Sequence, residues 1–253
     1  MPLPRRVEPE LLDCLAEQDP AAQRSRRDLQ RVHRVMGTRG ILLKAWRAAM
    51  PAARADGQPF EVLELGAGDG SLLLGIARAL PAGLPGSAPS VRLTLLDRQA
   101  LLTPSLVADY AVRGWHAQAQ IADVLDWAGS APRIDVLPPA APRWDLIVAN
   151  LFLHHFKPDE LTRLLGAIAA RSDRLLACEP RRSRFALAGS HLIGALGVNA
   201  ITREDAVSSV HAGFVGDELS TLWPAAASGW DLREHAAGVF SHCLLATRVP
   251  AAA

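Results

Sequence analysis

Glu64-Leu65-Gly66-Ala67-Gly68-Asp69-Gly70 sets an acid at the end of an apolar run and then three glycines at every second position, before the helix-forming stretch Ser71–Leu80. Gly66, Gly68 and Gly70 let a backbone turn sharply and let a ligand approach where a Cβ would stand in the way. The spacing is GxGxG and not the GxGxxG of dinucleotide binders, so a pyrophosphate is not the expected guest. Asp97 closes the next apolar run, Leu93–Asp97. A carboxylate there can bridge two ribose hydroxyls in a nucleotide-binding α/β sheet. Asp123 and Val124 follow a third run, in Ile121-Ala122-Asp123-Val124. Taken singly, either aspartate reads as a cap or turn residue. Their order at successive run ends, behind the glycine loop, favours one ligand site.

Such residues need a scaffold that brings strand ends together. From Phe60 onward, short apolar runs alternate with helical stretches, which is the pattern of βα units and a parallel sheet. The expected strands are Glu61–Leu65, Arg92–Leu96, His116–Ile121, Leu146–Ala149, Arg174–Cys178, Asp231–Ala236 and Ser241–Arg248. Only Ala237-Gly238-Val239-Phe240 separates the last two, which is too short for a crossover helix, so the final strand should run antiparallel. The reading is therefore an α/β, Rossmann-like, seven-stranded and mostly parallel sheet with helices on both faces. Residues 1–55 are expected to form an N-terminal helical cap, with helices at Glu8–Gln18, Ala21–Met36 and Ile41–Met50 stopped by Gly37 and Gly40. Residues 56–253 form the main domain, with a helical lid over about 181–227. Pro81–Pro89 and Gly129–Pro142 read as exposed insertions, and the alanine tail after Pro250 as frayed.

The glycine segment resembles motif I of class I S-adenosylmethionine (SAM)-dependent methyltransferases, and the likeness runs from about Phe60 to Arg248. The resemblance implies that SAM is the cofactor and that Glu64 accepts hydrogen bonds around its ammonium group. It also implies that Asp123 accepts from the adenine amino group, with Val124 against the ring. Trp127 has two readings, a cover for the adenine or ordinary packing.

The acceptor should approach from the loop after the fourth strand, Asn150-Leu151-Phe152-Leu153-His154-His155-Phe156, because ligands bind outside strand C-termini in open α/β sheets. Asn150 falls on the cofactor side of that loop and Phe152 on the acceptor side. Methyltransferases of exocyclic amines often carry prolines where Leu151 and Phe152 stand, which argues against a base N-methyltransferase. The segment looks more like the Leu-His-Asp-Trp loop of small-molecule O-methyltransferases, where the histidine deprotonates a phenol or enol. That places a catalytic role on His154, with His155 beside it. Either imidazole can instead be a strut that ties the loop down. Arg181, after Glu179-Pro180, is a candidate clamp for an anionic acceptor; the alternative is a solvated helix start or an arginine that holds the lid. The longer pattern, Glu179-Pro180-Arg181-Arg182 with Gly213–Leu219, looks like bacterial methyltransferases of phenolic, polyketide-type metabolites.

Composition narrows the partners. The 253 residues are 49% hydrophobic and 21% charged, as in a folded domain, and no apolar run approaches the ~20 residues of a membrane span. Three scattered cysteines form no CxxC pair, so a reducing, cytoplasmic setting and no metal site are expected. Between Arg24 and Arg47 eight basic residues face one acid, Asp28. That stretch reads as a solvated helix face with Leu29, Val32 and Met36 inward. It lacks the interleaved aromatics of a nucleic-acid surface, so nucleic acid is not the expected partner. The expected reaction is methylation of a small, apolar, hydroxylated acceptor. The rival readings are an RNA or protein methyltransferase that uses the basic stretch, and a SAM-binding regulator without turnover.

Overall fold

A computed structural model describes residues 3–16, 18–50, 56–81, 90–130, 143–224 and 229–249. Most of Pro81–Pro89 and Gly129–Pro142, and the tail from Pro250, lie outside the described residues. Strands β1 (Phe60–Leu65), β2 (Val91–Asp97), β3 (Trp115–Ile121), β4 (Leu146–Asn150), β5 (Arg174–Pro180), β6 (Trp230–Ala237) and β7 (Ser241–Arg248) form one sheet. Its order is β3-β2-β1-β4-β5-β7-β6. The first five strands pair in parallel, and β7 runs antiparallel to both β5 and β6. The chain leaves β1 toward β2 on one side and returns to β4 on the other, which opens a crevice above the C-terminal ends of β1 and β4.

Helices α3 (Ser71–Ala79), α4 (Pro104–Val112), α5 (Val124–Gly129) and α6 (Pro158–Arg171) fill the crossovers. Their starts carry recognisable caps. Thr103 accepts from the Leu106 amide ahead of Pro104, and Asp123 accepts from the Leu125 amide. Successive side chains of a strand point to opposite faces, so β1 serves two cores. Val62 joins Leu73, Leu93 and Trp115 on one face, while Leu63 and Leu65 join Leu161, Leu165 and Ile168 on the other. Parallel strands covered on both faces need such near-continuous apolar runs.

The N-terminal region departs from the sequence reading. The described residues of the expected helix Glu8–Gln18 form no α-helix and make only a short 3-10 turn at Leu12–Cys14. Pro9 supplies no amide, and tertiary partners replace helical ones: the Leu11 and Leu12 amides donate to Asp205 at 2.7 and 3.0 Å. Helix α1 (Pro20–Met36) starts at Asp19, whose side chain accepts from Ala21, and ends at Gly37 with φ 70°. Gly40 is no stop. It sits inside α2 (Thr38–Ala49), whose Leu42 and Trp46 pack into the core of the sheet.

Between β5 and β6 lie α7 (Arg184–Leu192), α8 (Ala200–Ala212) and α9 (Glu218–Thr221). Buried Asp28 of α1 accepts from the Asn199 amide at 2.8 Å, and Asn199 also bonds Ser25, so α1 and the start of α8 are stitched together. The inward face of α1 is thus Ala22, Ser25, Asp28 and Val32, with Leu29 and Met36 only half-buried. Among the described residues no helix is long and apolar enough to cross a membrane.

Candidate functional site

The crevice at the ends of β1 and β4 is a cavity of about 660 Å³. Glu64, Gly66, Gly68, Asp97, Asp123, Val124, Asn150, Phe152, His154 and His155 all line it. Gly70 stands just behind the rim, where its carbonyl accepts from Tyr110 Oη at 2.7 Å. That bond ties the glycine loop to the aromatic stack of Tyr110, Trp115 and Trp46.

The loop is held in a conformation that needs its glycines. Gly66, Gly68 and Gly70 have φ of 64, 55 and 73°. At Gly66 space matters as well, since a Cβ would stand 2.1 Å from the Phe152 ring. The Gly68 amide donates to Asp97 Oδ2 at 2.8 Å, and the Gln99 amide to Oδ1 at 2.9 Å, so the Asp97 carboxylate is fixed at the end of β2. Asp123 Oδ1 accepts from Leu125 at 2.7 Å, which makes it a helix cap as well as a cavity residue. Across from it Leu151 has φ 49°. Backbone held in that region costs about 1–3 kcal/mol and tends to mark a functional turn. Trp127 is packing: it is buried under the Arg171 guanidinium, 4.8 Å from its ring centre, and is not part of the cavity wall.

Charge in the crevice is unbalanced. Glu64 is 2% exposed, and among the described residues neither its Oε2 nor the buried Asn150 Oδ1 has a hydrogen-bond partner. Burial, and then the nearby Asp69 and Asp97, push the Glu64 carboxyl well above the usual carboxylate range. A concentration of acceptors around one buried carboxyl suits a ligand that brings a positive charge and N–H donors.

On the other side of the crevice, Glu179 at the end of β5 organises the β4 loop. It is fully buried and accepts from the amides of Phe152, Leu153 and His154 at 3.0–3.3 Å, and it pairs with His154 Nδ1 at 2.8 Å. His154 Nε2 lies 3.3 Å from Glu10 Oε1. Both ring nitrogens of His154 are therefore occupied, and neither is presented to an acceptor while Glu10 is seated. Burial alone would lower the His154 pKa, but its bonds to Glu10 and Glu179 outweigh that and raise it to about 9. Glu10 is the counterpart: burial opposes its charge, but His154 holds it down at about 2. Half-buried His155 has Nδ1 3.5 Å from Asp13 and Nε2 4.0 Å from Glu10. Ser209 Oγ also bonds Glu10.

Glu10 and Asp13 were not legible as site residues, because they sit in a segment that reads locally as a surface helix. Arg5 is a third such residue; it fastens the same segment by donating to the carbonyls of Ala212, His154 and Phe156. Arg181 requires a correction. Its amide bonds Phe240 and its guanidinium reaches the Gly238 carbonyl, on the β6–β7 turn, and it does not line the cavity. Its neighbour Arg182 points inward and is buried, with bonds to the Leu3 and Gly213 carbonyls and an ion pair with Glu218. Part of the basic stretch is likewise used within the chain: Arg26 bonds Gln99, Arg31 pairs with Asp28, and Arg47 reaches the Ala79 carbonyl.

No protein-family model and no curated protein matches the sequence. Solved structures do match the fold. The plantazolicin methyltransferase in complex with SAH aligns with a TM-score of 0.57 at 14% identity, over 91% of each chain. The magnesium protoporphyrin IX methyltransferase of Synechocystis PCC 6803 with bound SAH gives 0.50 at 14% identity, over 94% of this chain and 91% of that one. An O-methyltransferase family protein of Burkholderia thailandensis gives 0.55 at 14% identity, over 92% of this chain and 61% of the other. In its strand order and layering, the chain has the Rossmann-like fold of class I SAM-dependent methyltransferases.

Proposed function

We propose that the protein transfers a methyl group from SAM to a small, largely apolar, hydroxylated acceptor. The observation that carries this reading is the unpartnered pair Glu64 Oε2 and Asn150 Oδ1, in the same crevice as the Asp97 and Asp123 carboxylates. On this reading Glu64 and Asn150 accept hydrogen bonds from an ammonium group above the glycine loop. On the same reading Asp97 takes the ribose hydroxyls, and Asp123 with Val124 an adenine edge and face. When bound, SAM supplies an electrophilic methyl group on a sulfonium.

The rest of the work falls to this chain's own residues. Phe152, Phe156, Leu12, Leu29 and Val7 of the cavity wall form the acceptor side on this reading and exclude water from an apolar acceptor. Methyl transfer is an in-line displacement, so most acceleration comes from holding the two reactants close and aligned. The acceptor oxygen must also lose its proton. Glu10, His154 and His155 form the polar patch on that side, and His155 is the more accessible of the two imidazoles.

Isothermal titration calorimetry with S-adenosylhomocysteine, the product, tests the reading. The wild type should bind it, and Asp97→Ala should weaken binding by roughly 10-fold or more, since a charge-assisted hydrogen bond is worth about 1.5–3 kcal/mol. A screen of phenolic compounds with labelled SAM then identifies the acceptor. A wild type that binds neither SAM nor its product refutes the proposal.

A further inference from the structure

Glu10 faces two imidazoles on the rim of the cavity, and each imidazole is backed by another carboxylate. His154 Nδ1 is held by Glu179 at 2.8 Å, and His155 Nδ1 stands 3.5 Å from Asp13. The remaining nitrogens, both Nε2, converge on the two oxygens of Glu10 at 3.3 and 4.0 Å. A charge-assisted N–H···O bond spans about 2.7–2.9 Å, so the 3.3 Å hydrogen bond between His154 and Glu10 is a long one. Two ligands on a tetrahedral ion with bonds of ~2.0–2.1 Å stand about 3.3 Å apart. The ligand atoms of Glu10, His154 and His155 all lie within 4.8 Å of one another. Closing the widest pair to about 3.3 Å takes a shift of about 1.5 Å at most, and His155, with 21% of its side chain exposed, is the least buried of the three.

For His154 the backing carboxylate gives the arrangement its direction, through the 2.8 Å bond between Nδ1 and Glu179, while Asp13 stands by His155 as an ion-pair neighbour at 3.5 Å. A histidine that donates Nδ1–H to a carboxylate has its tautomer fixed, with the Nε2 lone pair turned to the other side. We propose that Glu10, His154 and His155 bind a divalent first-row transition ion of the zinc type, with Glu179 and Asp13 as the outer partners. Two imidazoles and one carboxylate suit such an ion and not magnesium or calcium, which prefer all-oxygen shells. Three protein ligands leave a fourth position, and all three residues line the cavity. The ion joins the N-terminal segment to the β4 loop. It also offers a Lewis acid to an acceptor hydroxyl, which loses its proton to solvent more readily once coordinated. Ion binding stands apart from methyl transfer; only the role at the acceptor rests on the proposed function.

The test uses the full chain after treatment with a chelator. Titration with Co²⁺ should give visible d–d absorption that saturates at one ion per chain, and calorimetry should show Zn²⁺ binding of the same stoichiometry. Glu10→Gln and His155→Ala should each weaken Zn²⁺ binding by about 100-fold or more, and Asp13→Asn by roughly 10–100-fold. His211→Ala, outside the cluster, should bind as the wild type does. Titration of each variant with S-adenosylhomocysteine reports whether its pocket is intact. Intact product binding with no saturable Co²⁺ or Zn²⁺ binding overturns the metal site and leaves the methyltransferase reading standing. Wild-type Zn²⁺ affinity in Glu10→Gln and His155→Ala also overturns it. Metal binding without binding of SAM or its product leaves the site and refutes the methyltransferase reading.

Discussion

Replacing Glu64 with glutamine should make the ligand-free protein more stable and its ligand weaker, from the same cause. Glu64 is 2% exposed, one of its oxygens has no partner among the described residues, and burial with Asp69 and Asp97 raises its pKa well above the usual range. A carboxyl whose folded-state pKa is raised contributes stability at low pH. That contribution is lost as pH climbs from the ordinary carboxylate range through the raised value. Glutamine keeps the shape and removes the charge, so the variant should melt above the wild type at pH 7, by a margin that shrinks as pH falls. An ammonium group beside Glu64 reverses the preference and favours the charged form. Binding of S-adenosylhomocysteine should therefore expel a proton, and affinity should rise by up to about tenfold per pH unit until the free carboxyl is ionised. Loss of the charge-assisted bond, about 1.5–3 kcal/mol, corresponds to roughly 10- to 150-fold weaker binding in Glu64→Gln. Calorimetry between pH 5 and 8, in buffers of different ionisation enthalpy, reads the proton directly. Buffer-independent enthalpy in the wild type, together with unchanged affinity in Glu64→Gln, would refute the assignment of Glu64 to a cationic ligand.

Two further substitutions separate space from backbone strain in the glycine loop. Gly66→Ala meets the Phe152 ring as well as an unfavourable φ, and should cost about 2–4 kcal/mol in denaturant unfolding and abolish product binding. Gly68→Ala finds nothing within 4 Å, so it should cost only about 1–2 kcal/mol for the left-handed backbone; equal losses at both positions would contradict the packing argument. The adjacent arginines of the lid should also part company. Arg182→Ala strands Glu218 and two carbonyls and should cost about 3 kcal/mol, while Arg181→Ala should stay within about 0.5 kcal/mol and leave turnover unchanged.

Much of the site follows from local sequence. Alternating apolar runs and helical stretches dictate a parallel sheet, and a parallel sheet gathers its strand C-termini on one edge. Residues that end successive runs, such as Glu64, Asp97 and Asn150, are then forced into one crevice however the helices pack. Glycines at 66, 68 and 70 are legible for the same reason: their effect on the backbone acts within a few residues. The expected helix over Glu8–Gln18 marks where this reasoning stops. Helical periodicity there competes with bonds to Asp205, Ser209 and His154, which lie far along the chain; Glu10 and His154 are 144 residues apart. Nothing within a turn of Glu10 announces that seat. Arg181 and Arg182 show a second limit. They are alike in sequence, but in extended backbone neighbours face opposite sides, and only the pairing of Arg181 with Phe214 decides which arginine goes inward. The sequence alone determined the sheet, the glycine loop and the strand-end acids, because each is set by neighbours along the chain. The tertiary structure alone decided that Glu10 closes over both imidazoles and that Glu179 holds the β4 loop, because those contacts form only when distant segments pack together.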